Sequence, residues 1–442
     1  MTSWSAYRVR GLSPAWPLYA LFVALPVWWA LGAGYFIWPV LTFPLFISLL
    51  MRWREVRLPR RFGIWLLFLA WMLLASIQLQ TKLSMALFAY RASLYFSATV
   101  LFVYVFNLSR EALPDRKVIR LLAIFWAEVI LGGLAAVFLP TASFSTPVQM
   151  VLPASILADQ TAYYFVHPAL SEVMTFLGYP VGRPKTFFAY TNQWGACVAV
   201  LMPFAFAAMT QIRSLAWRRV MVGLLFISIV PIITSLNRGL WLSLGLGLLY
   251  LALRFAMRGN VRPLGIGAIA ALVAAAVVIA TPLSGLIHDR FTSERNSNDT
   301  RLTTYDSTLA QVRKSPLIGY GSPRPQGKGD LPHLGTQGQM FMLLYSYGVP
   351  AFAFFAGWIG ASFWSTASRG SPDVRPWANA SLLILLLELP YYNYMPITMH
   401  VAMVGAAIAW RDVSLRGARS QPAHDRQPAG TSIAPGGAVT VS

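Results

Sequence analysis

Long apolar runs alternate with short polar breaks along this chain, and the runs recur at the length that crosses a bilayer. About twelve runs of roughly 15–25 residues match the span of a hydrocarbon core. They fall at 16–32, 35–51, 63–80, 84–107, 118–139, 189–210, 218–235, 239–256, 263–283, 338–365, 377–393 and 396–410. Pro26, Pro39 and Pro44 interrupt the first two, which predicts kinks there. One run follows directly on another, so the first reads as an uncleaved span and not as a removed leader.

Two of the breaks are long. Residues 140–188 include a mixed stretch, Ala154 to Val173, with the character of a helix lying on the membrane surface. Residues 284–337 are the most polar part of the chain. Within them His288 to Lys314 is expected to be helical, and Pro316, Gly319, Gly321, Pro323 and Pro325 turn it into loop. Long loops in a compact protein are usually functional. From Ser420 onward the chain is rich in Pro, Gly, Ala and Ser, which predicts disorder. The expected division is a membrane domain over 1–410 and a disordered cytoplasmic tail over 411–442. No internal repeat, soluble domain, phosphate-binding glycine loop or ATPase motif is legible.

Composition agrees with the pattern. Of 442 residues 57% are hydrophobic and 11% charged, which is the balance of a membrane protein. The 35 Lys and Arg against 15 Asp and Glu would suit nucleic acid if they lined a soluble face. They form short clusters in alternate breaks instead. The clusters are Arg8 and Arg10; Arg52 to Arg61; Arg110 to Arg120; Arg213 to Arg219; Arg254 to Arg262; Arg369 and Arg375; and the tail from Arg411. By the positive-inside rule both termini are expected in the cytoplasm, the two long breaks are expected outside, and nucleic acid is not an expected partner. The single cysteine, Cys197, leaves no disulfide framework and no cysteine metal site within the chain. Sixteen Trp and eighteen Tyr suit interfacial belts.

Three arginines break the charge rule. Arg183, Arg238 and Arg301 fall on the outer side, and guanidinium is a planar, permanently charged donor suited to phosphate oxygens. Arg183 and Lys185 precede a span that Asn192 enters nine residues after Arg183. They are either an anion grip or ordinary anchors of a helix end. Arg238 opens a span after Ser235 and Asn237. Its helix N-terminus also presents N–H groups to an anion, or the side chain snorkels to headgroups. Arg301, Tyr305 and Thr308 share a helical face, or sit in a solvated charged loop. His333 stands at a loop–membrane junction, where imidazole either takes a proton from a sugar hydroxyl or has no chemical role. Arg91, Glu128 and Glu388 are ionisable groups inside spans, which are functional candidates by default. Arg91 and Glu388 either line one cavity or pair to fix helix packing. No acidic cluster has metal-ligand spacing.

Taken in order, these motifs resemble the O-antigen ligase and O-antigen polymerase family, over roughly Gly182 to Phe352. Arg183 with Asn192 is similar to the family's arginine, nine residues, asparagine pattern at a span entry. Asn237-Arg238-Gly239 is similar to its Ser-Arg-Gly element, with Asn in place of Ser. Arg301 and then Pro316, Gly319 and Gly321 match its loop helix ending in Pro-x-x-Gly-x-Gly. The family's histidine stands eleven residues before a glycine of the next span. Counting back from Gly348, that position is Gln337, followed by Gly338. Glutamine takes no proton, so either His333, four residues earlier, takes over, another base serves, or activity is altered.

The resemblance implies an all-α, GT-C-like polytopic glycosyltransferase of the plasma membrane, acting on its outer face. Its donor would be a glycan on undecaprenyl diphosphate and its acceptor a sugar hydroxyl on a glycan or glycolipid. Arg183, Lys185, Asn192, Arg238 and Arg301, with Arg91, would bind substrate, and His333 or Gln337 would serve the acceptor. No cofactor, nucleotide sugar or metal is expected. Ligase and polymerase stay equally open. The alternatives are a transporter or flippase of lipid-linked glycans, disfavoured by the absence of paired halves, and a catalytically degenerate relative.

Overall fold

A computed structural model describes residues 13–158, 160–176, 179–265, 267, 295–324, 333–367 and 374–419. The chain is mostly helical with almost no sheet. In order, the helices are α1 (Trp16–Leu18), α2 (Leu25–Leu31), α3 (Ile37–Met51), α4 (Phe62–Leu74), α5 (Lys82–Asn107) and α6 (Asp115–Phe138). Three short helices follow, α7 (Pro147–Val151), α8 (Ala154–Leu157) and α9 (Gln160–Val166), and then strands β1 (Ser171–Phe176) and β2 (Tyr179–Pro184). The remainder are α10 (Thr191–Gln211), α11 (Leu215–Ile227), α12 (Ile229–Thr234), α13 (Arg238–Ala256), α14 (Arg295–Lys314), α15 (Gln339–Thr366), α16 (Arg375–Glu388) and α17 (Ile397–Arg419).

Helices occupy eleven of the expected segments, and the segment 263–283 lies almost wholly outside the described residues, as do Ser420 and beyond. Six are long and apolar enough to cross a membrane: Lys82–Asn107, Asp115–Phe138, Thr191–Gln211, Leu215–Thr234, Arg238–Ala256 and Gln339–Thr366. The first expected span is broken, with a π turn at Tyr19–Val23 and a restart at Ala24. Pro26 sits in the first turn of α2, where its missing N–H costs no ladder bond. Pro44, by contrast, lies inside the continuous α3.

One expectation is corrected. The stretch Ala154 to Val173 is not a single surface helix: Pro153 opens α8, α9 ends at Val166, and the chain is in strand from Ser171. The result is an antiparallel hairpin that pairs Glu172 with Arg183. Its chain folds against the C-terminal end of α6. Thr186 Oγ1 donates to the Gly132 carbonyl at 2.8 Å. A side chain at Gly182 would meet the Ala136 carbonyl at 2.6 Å, so only glycine allows that approach.

The core is aromatic. Trp65 packs on Phe68, Phe355 and Trp358, with ring centroids 4.9, 5.6 and 5.2 Å away. This seam joins α4, α5 and α15. At one end of the bundle the basic clusters meet. Arg411 in α17 donates to the Leu108 and Leu113 carbonyls and pairs with Asp115. Arg254 donates to Asn379 and to the Ala367 carbonyl. The hairpin and the first residues of α5, α10, α13 and α15 gather at the other end.

Candidate functional site

The hairpin carries Arg183 to the start of α13. Arg183 Nε donates to the Ser235 carbonyl at 2.8 Å, and Nη1 lies 3.5 Å from Glu172 Oε2 across the strand pair. Glu172 Oε1 also accepts the first N–H of α10, that of Thr191, at 3.0 Å. A carboxylate at a helix N-terminus is favoured by the helix dipole. One acidic residue therefore links the hairpin, Arg183 and the helix that begins with Thr191 and Asn192. Lys185 follows on the same segment, with Nζ 5.2 Å from the Tyr164 ring centroid. Burial lowers its pKa from the ordinary lysine value of 10.5, against the opposing pull of Glu172.

Ser235 is three residues ahead of Arg238, and Asn237 caps the new helix. Asn237 Oδ1 accepts the Leu240 N–H at 3.4 Å and the Tyr392 hydroxyl proton. Gly239 is needed beside this contact, because a Cβ there would meet the Tyr392 oxygen at 2.3 Å. Arg238 is thus the first residue of a helix whose start is held on two sides, by Arg183 through Ser235 and by Tyr392 through Asn237. Its side chain is half-buried.

Tyr392 carries the network onward. Its carbonyl accepts the Gln339 N–H at 2.8 Å. Gln339 is fully buried, and its Nε2 donates to the Tyr95 hydroxyl at 2.6 Å. The chain Glu172, Arg183, Ser235, Asn237, Tyr392, Gln339, Tyr95 is continuous and joins five segments distant in sequence. Sequence reasoning missed Glu172, Tyr392 and Gln339. For Glu172 the alternation of a strand was hidden by the mixed character of residues 140–188, and for the other two nothing in spacing marked them.

The loop before α15 holds His333 and Gln337. His333 is exposed, and its carbonyl accepts Thr336 Oγ1 at 2.7 Å. Gln337 is half-buried, and Gly338 lies close against the Pro390 carbonyl. The loop is tied to α14 by Gly335 N–H, which donates to Thr308 Oγ1 at 3.4 Å. Tyr305 stacks on Phe341 with centroids 4.2 Å apart and planes within 4°. The face of α14 bearing Tyr305 and Thr308 therefore packs on the start of α15. Arg301 is on that helix one turn earlier, and its side chain lies outside the described residues.

The Pro-x-x-Gly-x-Gly segment has a structural explanation. In an unbroken α15 the Tyr345 and Ser346 carbonyls would accept the N–H groups of residues 349 and 350. Residue 350 is proline, and Val349 N–H turns to the Pro316 carbonyl at 2.7 Å. The two freed carbonyls are satisfied by Tyr320 N–H at 3.0 Å and Gly321 N–H at 2.7 Å. Gly348, Gly319 and Gly321 all have positive φ, and a Cβ on Gly348 would stand 2.2 Å from the Leu317 carbonyl. This docking fixes the C-terminal end of α14 against the kink of α15.

Arg91 and Glu388 do not pair. Glu388 is fully buried and accepts from Ser243 Oγ at 2.9 Å, while Arg91 Nη1 is buried with no partner. Glu128 Oε2 is likewise without one. Among the described residues no group of three or more His, Cys, Asp or Glu is placed to hold a metal.

Residues 222–356 match the family model described as O-Antigen ligase, which supports the resemblance read from the motifs. The match contains Arg238, Arg301, the Pro316–Gly321 segment and Gln337, and leaves Arg183 and Asn192 outside it. No curated protein matches the chain.

Proposed function

We propose that this chain, similar to O-antigen ligases over residues 222–356, moves a glycan from undecaprenyl diphosphate to a sugar hydroxyl on the outer face of the plasma membrane. A membrane glycosyltransferase of ligase or polymerase type is the activity that the family match supports. The donor, acceptor and side are this reading's own. The observation that carries it is the tie from Arg183 through Ser235 to the helix that Arg238 opens. Two arginines, 55 residues apart in the chain, stand on one short network at the end of the bundle where the polar outer segments gather; Arg238 lies within the family match and Arg183 rests on the motif resemblance.

In this reading Arg183, Arg238 and Arg301 hold the diphosphate, with Lys185 and Asn192 beside them, while Arg91, deeper in the bundle, binds another part of the substrate. As the glycosyl–oxygen bond breaks, negative charge grows on the leaving diphosphate. Fixed guanidinium groups stabilise that charge more than they stabilise the bound ground state, which is what lowers the barrier. Glu172 keeps Arg183 oriented before substrate arrives. The acceptor hydroxyl must lose a proton as it attacks. His333 is the imidazole of the loop before α15, and Gln337 in the same loop orients the acceptor by hydrogen bonding. Both termini lie in the cytoplasm, as the placement of Arg254 and Arg411 at the opposite end of the bundle supports.

The test is transfer by the purified chain in lipid nanodiscs, supplied with undecaprenyl diphosphate glycan and candidate acceptors. Product glycan with release of undecaprenyl diphosphate is expected. Movement of lipid-linked glycan across liposomes without covalent transfer would instead make the chain a flippase.

A further inference from the structure

Arg91 sits in a helix of membrane-crossing length, and nothing acidic among the described residues balances it. Phe88, Arg91 and Tyr95 lie along one face of α5 by three- and four-residue spacing. α15 reaches this face through two side chains. The Tyr347 ring meets that of Phe88 at 6.0 Å, and Gln339 Nε2 donates to the Tyr95 hydroxyl at 2.6 Å. The direction of the second bond is fixed, because Gln339 Oε1 accepts the Tyr394 backbone N–H at 3.3 Å. Tyr95 is therefore the acceptor, and its own proton is left to donate elsewhere.

Two further donors are in the same place. Arg91 Nη1 is buried without a partner, and so is the hydroxyl of Tyr347, a residue 0% exposed. Arg91 is near enough to interact electrostatically with both phenols, and the phenols with each other. Glu388, the carboxylate that would neutralise a packing arginine, is bonded to Ser243 instead. The cluster is a guanidinium and two phenols with protons to give and no oxygen to receive them. Leaving each such group unmatched is destabilising, and more so for the charged one. The chemistry that satisfies all three at once is an oxyanion.

We propose that Arg91, Tyr95 and Tyr347 form a second anion subsite, separate from the diphosphate grip at Arg183 and Arg238, that takes a carboxylate or phosphate carried on a sugar. That the sugar belongs to a transferred or accepting glycan rests on the transferase reading. The subsite itself rests on the unmatched donors.

The experiment is calorimetric titration of the full chain in nanodiscs with four probes: glucuronate, glucose 6-phosphate, glucose and inorganic pyrophosphate. At least one charged sugar is expected to bind about ten-fold or more tighter than glucose, a difference readily resolved as affinity. Which one does so identifies carboxylate or phosphate as the group. Arg91→Gln is expected to abolish the preference and Tyr347→Phe to weaken it several-fold, with pyrophosphate affinity kept in both. Equal binding of glucose and both charged sugars by the unaltered chain would overturn the proposal. So would an Arg91→Gln chain that keeps the preference, or one that loses pyrophosphate binding along with it. If Arg91→Gln does not fold, Tyr347→Phe, which removes one oxygen from a folded core, decides the matter by the same criteria. Charged-sugar binding that persists in a chain with no transfer activity would leave this subsite standing and remove the transferase reading alone.

Discussion

Arg183 Nε donates to the backbone carbonyl of Ser235 at 2.8 Å, and this bond joins the β1–β2 hairpin to the helix that begins at Arg238. It makes Arg183 both a cation and a strut. Arg183→Lys keeps the charge but has no planar fork with which to reach both Ser235 and Glu172. Transfer is expected to fall roughly ten- to hundred-fold in Arg183→Lys, as when an oriented donor is lost from a reaction centre. Initial rates on nanodisc-embedded protein, with expression checked by gel filtration, measure it. A lysine variant with unchanged rate would show that charge alone matters here.

The Tyr392 hydroxyl bonds Asn237, and its carbonyl receives Gln339. Tyr392→Phe leaves the ring in place and removes one polar contact to a buried amide. A stability loss of about 1–3 kcal/mol is expected, the cost of leaving such a group unmatched. Transfer should fall further than stability predicts, because the start of α13 loses one of its two supports. Thermal unfolding and rate measurements on the same preparation separate the two effects.

Gly348→Ala places a methyl group against the Leu317 carbonyl and forces a side chain into positive φ. The backbone strain alone is roughly 1–2 kcal/mol, and the docked Pro316–Gly321 segment must also move. A lowered unfolding temperature and easier proteolysis after Lys314 are expected. A variant as stable as the parent would mean that the kink tolerates what its geometry forbids.

Lys185 loses its proton at lower pH than an ordinary lysine, since burial disfavours the ammonium. The folded state therefore binds fewer protons at Lys185 than the unfolded chain does. Its contribution to stability rises with pH from the lowered folded value up to 10.5. Only the neutral amine reacts with acylating reagents. Labelling of Lys185, followed by mass spectrometry, should have its midpoint below the ordinary lysine value of 10.5.

His333 and Gln337 share the loop before α15, and only imidazole accepts a proton there. His333→Ala is expected to slow transfer by about 10²–10⁴-fold, the range for a positioned base. Gln337→Ala is expected to slow it less. The reverse order in a side-by-side rate comparison would give Gln337 the acceptor-binding role and leave the proton to another group.

Much of this was legible in the sequence. Apolar period and cation clusters located the helices α3 to α6, α10 to α13 and α15 to α17, because bilayer thickness fixes the length of a run. The motifs around Arg238 and Gly348 were legible too, since glycine and proline at fixed spacing mark backbone that side chains exclude. Strand β1 was not legible: Ser171 to Phe176 gains its extended form by pairing with Tyr179–Pro184. Nor were Tyr392 and Gln339, whose roles arise where chain ends far apart in sequence are packed together. Nor was the relation of Arg91 to Glu388, which position left open between a shared cavity and a packing pair: Glu388 accepts from Ser243 through one oxygen, its other oxygen and Arg91 Nη1 have no partner, and the two do not pair.

The central claim is that Arg183, Arg238 and Arg301 together hold the diphosphate leaving group. Its most direct test is the release of undecaprenyl diphosphate during transfer by the purified chain and by Arg183→Ala, Arg238→Ala and Arg301→Ala. Each substitution is predicted to reduce the rate by about 10²–10³-fold, the usual loss when one charge-stabilising donor is removed, with insertion and folding retained. Full activity in two of the three would contradict the account.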